Sequence, residues 1–228
     1  MSDLDRYLTV SDGPLVVSKV RGSRFLARTF AVAGREEAAA RLREIRGEYH
    51  AATHHVSAGR TAPPASAEGW CDDDGEPAGT AGAPVLARIE GRALYGLSVV
   101  VVRYFGGTKL GKGGLIRAYG DAATAALSSA SVHAVVETVP LIVRCEYGDL
   151  GGLESFLARS GRESGIESAE RAYGDVPAFK LEIRRSSLDA AREGLTDALA
   201  GRVRFESGDH DDAVDGTTED RIGRGGEI

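Results

Sequence analysis

A chain of 228 residues has room for one large domain or two small ones, and its 42% apolar and 27% charged residues are ordinary for a folded globular protein. No apolar run approaches the roughly 20 residues of a membrane span, and the start shows no basic stretch followed by an apolar core, so no membrane partner and a cytoplasmic location are expected. The net charge of −6 is unevenly spread: residues 207–228 carry seven acids against two arginines, a net of −5 that leaves the rest near −1.

In chain order, Pro14–Val20 and Ser23–Val32 read as two strands joined at Arg21-Gly22, a hairpin signal. Glu36–Tyr49 has helical spacing, with Ala39, Leu42, Ile45 and Tyr49 on one side. Ala51–Ser57 is a candidate third strand. Residues 58–84, rich in Gly, Pro, Ala and Asp, read as a long loop, and such loops are often functional. A short helix is expected over Pro84–Glu90 and a central strand over Gly96–Tyr104, where β-branched residues fall on both faces. Leu115–Ala130 follows as an alanine-rich helix. Past Glu137 the reading is strand (Val139–Tyr147), helix capped by Asp149 and running through Arg159, and strand (Gly165–Tyr173). A turn at Gly174–Pro177 then leads to a strand (Ala178–Arg185), a helix of Leu188–Leu199 capped by Ser187, and a strand (Arg202–Phe205). That β-α-β-β-α-β order is the ferredoxin-like split pattern. The expected fold class is α+β, with domains over 1–136 and 137–206 and an acidic tail over 207–228. The tail has too few large apolar residues to offset its ordering entropy and is expected to be disordered.

The stretch LSVVVVRYFGGTKLGKGGLIRAYG, residues 97–120, is the part that looks built for recognition. A strand feeds a loop with glycines at 106, 107, 111, 113 and 114, and a helix follows. Arg103, Lys109, Lys112 and Arg117 fall here without an acid before Asp121, and two of the four lysines in the chain are among them. Inward-pointing N–H groups and a helix dipole make such a loop a candidate site for phosphate-bearing ligands or a nucleic-acid backbone; a tight glycine turn for helix–sheet packing explains the glycines but not the charges. Gly106, four residues, then Gly111-Lys112 match most of a nucleotide-binding P-loop, but Gly113 stands where the magnesium-holding Ser or Thr belongs.

Asp72-Asp73-Asp74-Gly75-Glu76 places carboxylates that repel one another unless cations or a helix N-terminus lie nearby. Three readings stand: catalytic or metal chemistry using Asp73, Asp74 or Glu76; intramolecular pairing with Arg103, Lys109 or Lys112; and a solvated acidic turn. EF-hand spacing is absent. His54 and His55, adjacent on a strand, point to opposite faces, so at most one serves any site; the reading favoured is a histidine hydrogen-bonded near the acidic loop, with a metal ligand set of His54 and Asp72 or Asp74 as the alternative. Cys71 and Cys145 form no CxxC pair and suit free thiols; beside an aspartate, the Cys71 thiolate is disfavoured. No cofactor is indicated.

Four blocks together resemble the IMPACT/YigZ family: Gly22-Ser23-Arg24-Phe25-Leu26-Ala27, Ala52-Thr53-His54-His55, the run from Asp73 to Gly82, and the run from Arg103 to Gly111 continued by Gly113 to Tyr119. The resemblance covers about residues 14–206. It implies a first domain like domain two of a small-subunit ribosomal protein, also seen in elongation factor G (domain IV), and a ferredoxin-like second domain. It also implies a cytoplasmic protein linked to translation and its regulation, with RNA or the ribosome as partner. Eukaryotic relatives inhibit an initiation-factor kinase through an extra N-terminal domain; no counterpart of it is read in this sequence, so that pathway is not expected. Val56-Ser57-Ala58 departs from the family's Asn-x-Tyr-Ala. Two functional classes follow: a non-enzymatic RNA- or ribosome-associated protein whose basic loop holds phosphates, with Tyr104, Phe105 and Tyr119 as candidates for stacking on bases and core packing expected for at least two of them, and an enzyme acting on a phosphorylated small molecule. A protein–protein adaptor is a third.

Overall fold

A computed structural model describes residues 5–172 and 176–207. Most of the acidic stretch expected to be disordered, and Gly174 and Asp175 of the turn expected at Gly174–Pro177, lie outside the described residues. The elements in order are β1 (Arg6–Val10), β2 (Val16–Val20), β3 (Ser23–Ala31), α1 (Arg35–Glu48), β4 (His54–Arg60), β5 (Gly69–Asp72), α2 (Gly82–Glu90), β6 (Leu97–Tyr104), α3 (Lys112–Ser129), β7 (Val132–Val136), β8 (Thr138–Arg144), α4 (Leu150–Ser160), β9 (Ile166–Ala172), β10 (Ala178–Arg184), α5 (Leu188–Ala198) and β11 (Arg204–Ser207). Antiparallel sheets combined with helices make the fold α+β. The chain forms two compact units, one over Tyr7–Val135 and one that joins Val136 onward with the segment ending at Arg6.

In the first unit a five-stranded sheet has the order β2-β3-β6-β4-β5, and every neighbour is antiparallel. The central strand β6 buries both faces, as its valine run requires. Leu97, Val99 and Val101 meet Val85 and Ile89 of α2 and Leu115, Tyr119 and Ala123 of α3, while Val100 and Val102 meet Ala38 and Ile45 of α1 on the other side. The buried stripe of α1 runs through Ala38, not Ala39, which is exposed; Ala38, Leu42, Ile45 and Tyr49 follow a tighter helical face. A two-stranded sheet pairs β1 with β7.

The loop over 58–84 is shorter than its composition suggests. β4 continues to Arg60, and β5 pairs with it from Ser57↔Asp72 to Arg60↔Gly69. Trp70 lies where a Cβ on Gly59 would stand 2.2 Å from its ring, so only glycine admits the indole there.

The second unit has a four-stranded antiparallel sheet of order β11-β8-β10-β9, with α4 and α5 contributing Leu153, Ala191 and Leu195 to one core with Val143, Phe179 and Leu181. Asp149 and Ser187 stand at the N-caps of α4 and α5, yet neither makes a side-chain capping bond. Each helix is entered through a short 3-10 turn, and the Asp149 carboxylate is engaged instead by Arg202, at 2.7 Å from Nη2.

Candidate functional site

The basic loop begins where β6 ends. Its shape is fixed by a backbone contact with the β2–β3 turn: a Cβ on Gly106 would lie 1.9 Å from the carbonyl carbon of Gly22, and one on Gly22, itself at φ +85°, 2.7 Å from the Gly106 carbonyl oxygen. No side chain fits between them. Ser23 locks the contact by accepting hydrogen bonds at Oγ from Gly106 N (3.2 Å) and Arg103 Nη2 (3.4 Å), and Phe105 N donates to Thr53 Oγ1 at 3.1 Å. The loop ends at Gly111, whose φ of +71° suits glycine, and α3 starts at Lys112, three residues before the position read from sequence.

The helix start carries no side-chain cap and no acid in its first turn. Leu115 N donates to Gly111 O, while the N–H groups of Lys112, Gly113 and Gly114 find no acceptor among the described residues. Lys109, Lys112 and Arg117 are exposed, as are Gly106, Gly107, Gly111 and Gly113, and no carboxylate of the described residues pairs with those three cations. Phe105 is 49% exposed. β6 has antiparallel neighbours on both sides, so the parallel βαβ frame of a nucleotide P-loop is not built around this loop.

Arg103 stands apart from the other three cations. It is 5% exposed and points beneath the loop, where its Nη1 donates to Glu76 Oε1 at 2.5 Å; its Nε has no partner among the described residues. The same carboxylate oxygen accepts from Tyr119 Oη at 2.6 Å, and His54 Nε2 lies 3.8 Å away. His54 is directly opposite Arg103 in the β4–β6 register, so both side chains fall on the α2/α3 side. His54 Nδ1 donates to the Asp74 carbonyl at 2.8 Å. His55 turns to the other face and donates from Nε2 to the Tyr49 carbonyl at 3.1 Å, as strand alternation requires. Tyr119, a candidate for base stacking on sequence grounds, is wholly buried, edge-on to Phe25 at 5.2 Å, with its hydroxyl engaged, so it reaches no ligand. Burial first, then the hydrogen bond and charge of Glu76, hold its phenol far above the ordinary tyrosine range.

Each acid of the 72–76 run has its own partner. Asp73 Oδ1 accepts from the N–H groups of Gly82 (2.8 Å) and Ala81 (3.0 Å), and Oδ2 from Gly79 N (2.7 Å). It therefore closes the N-terminus of α2 from outside the helix. Burial pushes its carboxyl up, but these three N–H donors outweigh that and leave it below the usual carboxylate range. Asp74 pairs with Arg46 Nη2 at 2.6 Å and accepts from His55 N at 2.6 Å. Asp72 accepts from Asp74 N at 2.9 Å. Of the three basic residues that could neutralise this run from within, Arg103 takes Glu76, while Lys109 and Lys112 take none. Among the described residues no three His, Cys, Asp or Glu side chains gather as a metal ligand set. The exposed Cys71 thiol is pushed up, by burial first and then by the charges of Asp73 and Asp72. No helix among the described residues is long and apolar enough to cross a membrane.

Sequence reasoning misses the role of Ser23 and the junction of Tyr119 with Glu76. The adjacency of Gly22 to Gly106 shows in the sequence only as two glycines in separate motifs.

Residues 21–127 match the Impact N-terminal domain. The chain is 39% identical over 157 residues to IMPACT family member YigZ of Escherichia coli (strain K12), covering 68% of this chain and 77% of that one. It is 32% identical over 206 residues to IMPACT family member YvyE of Bacillus subtilis (strain 168), covering 90% and 93%. The crystal structure of a hypothetical protein superposes with a TM-score of 0.64 at 29% identity, over 91% of this chain and 99% of that one. The chain is a member of the IMPACT family.

Proposed function

We propose that this protein is a non-enzymatic RNA- or ribosome-associated binding protein with a role in translation or its regulation, and that the loop from Gly106 to Gly114 is its phosphate site. The observation that carries the reading is the set of Lys109, Lys112 and Arg117, exposed and without carboxylate partners among the described residues, around the uncapped start of an 18-residue helix. Free N–H groups and the positive end of the helix dipole add to the same local field. A net-acidic chain can still bind phosphates where the local charge is positive. Membership of the IMPACT family supports the link to translation, and with it a cytoplasmic location.

Finer fold labels belong to the same reading. The strand order β11-β8-β10-β9 supports a ferredoxin-like second domain over about 137–206, and the first domain, over about 1–136, is taken as elongation factor G domain IV-like. The alternative, an enzyme acting on a phosphorylated small molecule, needs an acid free to exchange a proton or hold a metal. Asp73, Asp74 and Glu76 are committed to a helix end, Arg46 and Arg103 respectively, which weighs against it. The test is a filter-binding titration of Lys109→Ala/Lys112→Ala against RNA across a range of KCl. Weaker binding with a flatter salt dependence is expected, with the slope reduced by about 0.7 per lost contact to a single strand. Unchanged affinity and slope would overturn the proposal.

A further inference from the structure

We propose that the β2–β3 hairpin end is a second half of the binding surface, and that the surface takes single-stranded RNA. This rests on the phosphate-site reading above and extends it to residues outside the glycine-rich loop.

The carrying observation is a row across three strands. Lys19 is directly opposite Arg24 in the β2–β3 register, and Arg24 is directly opposite Tyr104 in the β3–β6 register. Strand alternation puts all three side chains on one face of the sheet. Two like charges opposite each other in a sheet repel, and no carboxylate of the described residues offsets either one. Both cations are exposed. An unbalanced cationic pair of this kind is stabilised by an anion brought from outside.

Its neighbours point to the kind of anion. The Arg24 guanidinium carbon lies over the Tyr104 ring, 4.4 Å from the centroid, so an exposed cation and an aromatic ring are already paired on this face. Guanidinium planes and aromatic rings are the surfaces on which unpaired RNA bases stack, whereas a duplex keeps its bases inside and offers phosphates and groove edges. Arg21, exposed at φ 45°, tops the turn beside Gly22, and Gly22 is in backbone contact with Gly106 of the basic loop. Hairpin and loop therefore meet at the Gly22–Gly106 junction, with Lys19, Arg24 and Tyr104 on the α1 face of the sheet and the α3 start on the other face, and the proposed RNA strand passes over that end of the sheet to reach both.

The experiment is fluorescence anisotropy of a labelled 20-nucleotide uridine oligomer and of an RNA duplex of equal length, titrated with the full chain at several KCl concentrations. The wild type is expected to bind the single strand more tightly. Lys19→Ala/Arg24→Ala should weaken it about tenfold and reduce the salt slope by about 1.4, two contacts at about 0.7 each. Arg24→Lys, which keeps the charge and loses the planar stack, should weaken binding with the slope unchanged. The thermal midpoint of Lys19→Ala/Arg24→Ala should stay level or rise, since removing the two opposed cations relieves their repulsion. If the hairpin variants bind as the wild type does while Lys109→Ala/Lys112→Ala binds weakly, the extended surface is refuted and the loop reading stands. If the wild type binds neither oligonucleotide, both fall. Tighter binding of the duplex overturns the single-strand assignment.

Discussion

Replacing Glu76 by Gln keeps the side-chain volume and removes the charge that faces Arg103. The two side chains are 3% and 6% exposed, so water cannot take the place of the carboxylate. Breaking a buried ion pair by removing one partner costs about 3–5 kcal/mol, because the remaining charge stays buried without compensation. The substitution also weakens the hydrogen bond from Tyr119, since an acceptor in its ionised form is worth more than a neutral amide. Trp70 is the only tryptophan and belongs to the same sheet, so its fluorescence in a urea titration reports this unit. With a slope near 2 kcal/mol/M, a loss of about 4 kcal/mol moves the midpoint down by about 2 M. Arg103→Met introduced into the Glu76→Gln background removes the stranded charge, and the double variant should recover part of that loss. A midpoint shift below about 0.5 M for Glu76→Gln, or strict additivity of the two substitutions, would refute the idea that the pair is held dry and coupled.

Asp73→Ala should destabilise the first unit by about 1–2 kcal/mol through loss of an N-terminal cap, measured in the same urea titration. Because the Asp73 carboxyl is held below its unfolded value, its contribution is present above about pH 4 and is lost as the pH falls further; the gap between wild type and Asp73→Ala should close on acidification. Tyr119 shows the opposite sign: its proton is retained in the fold while the unfolded phenol ionises near pH 10, so stability should fall above that pH in the wild type and fall less in Tyr119→Phe, as read by melting curves. Gly106→Ala puts a methyl group into the Gly22 backbone and should weaken both stability and RNA binding, whereas Gly107→Ala, with nothing within 4 Å, should strain only its own backbone at φ +84°. Thr29 is fully buried and its hydroxyl has no partner among the described residues, so Thr29→Val should stabilise the unit by about 1 kcal/mol in urea.

Long periodic segments are legible in the sequence. The valines of β6 call for burial on two faces, and the Arg21-Gly22 signal places the β2–β3 hairpin correctly. β5 is not legible: Gly-Trp-Cys-Asp has no alternation, and it becomes a strand through its pairing with β4 and the seat that Gly59 leaves for Trp70. β1 and β7 give little signal because each is five residues long and finds its partner more than a hundred residues away. The start of α3 reads late because Gly113 and Gly114 are poor helix formers, a local cost that the packing of Leu115, Ala118 and Tyr119 overrides. At the site, the basic and acidic motifs are both visible in the sequence, but their division of labour is not. Burial separates Arg103 from Lys109, Lys112 and Arg117, and burial is a property of where β6 ends rather than of residue type.

The division of the chain has a consequence for its synthesis. Asp5 belongs with the unit completed far downstream: Glu137 N donates to its carbonyl, and its carboxylate takes the N–H and hydroxyl of Ser186, 181 residues later. At about 5–20 residues per second, a ribosome delivers that partner roughly 10 to 35 seconds after Asp5. The whole segment from Tyr7 to Val135 is made within that interval, so the early-made unit is an insert within the late-made one. Proteolytic excision of the insert would leave its own core complete, whereas cutting just before Val136 would release the later unit without the aspartate that Ser186 holds.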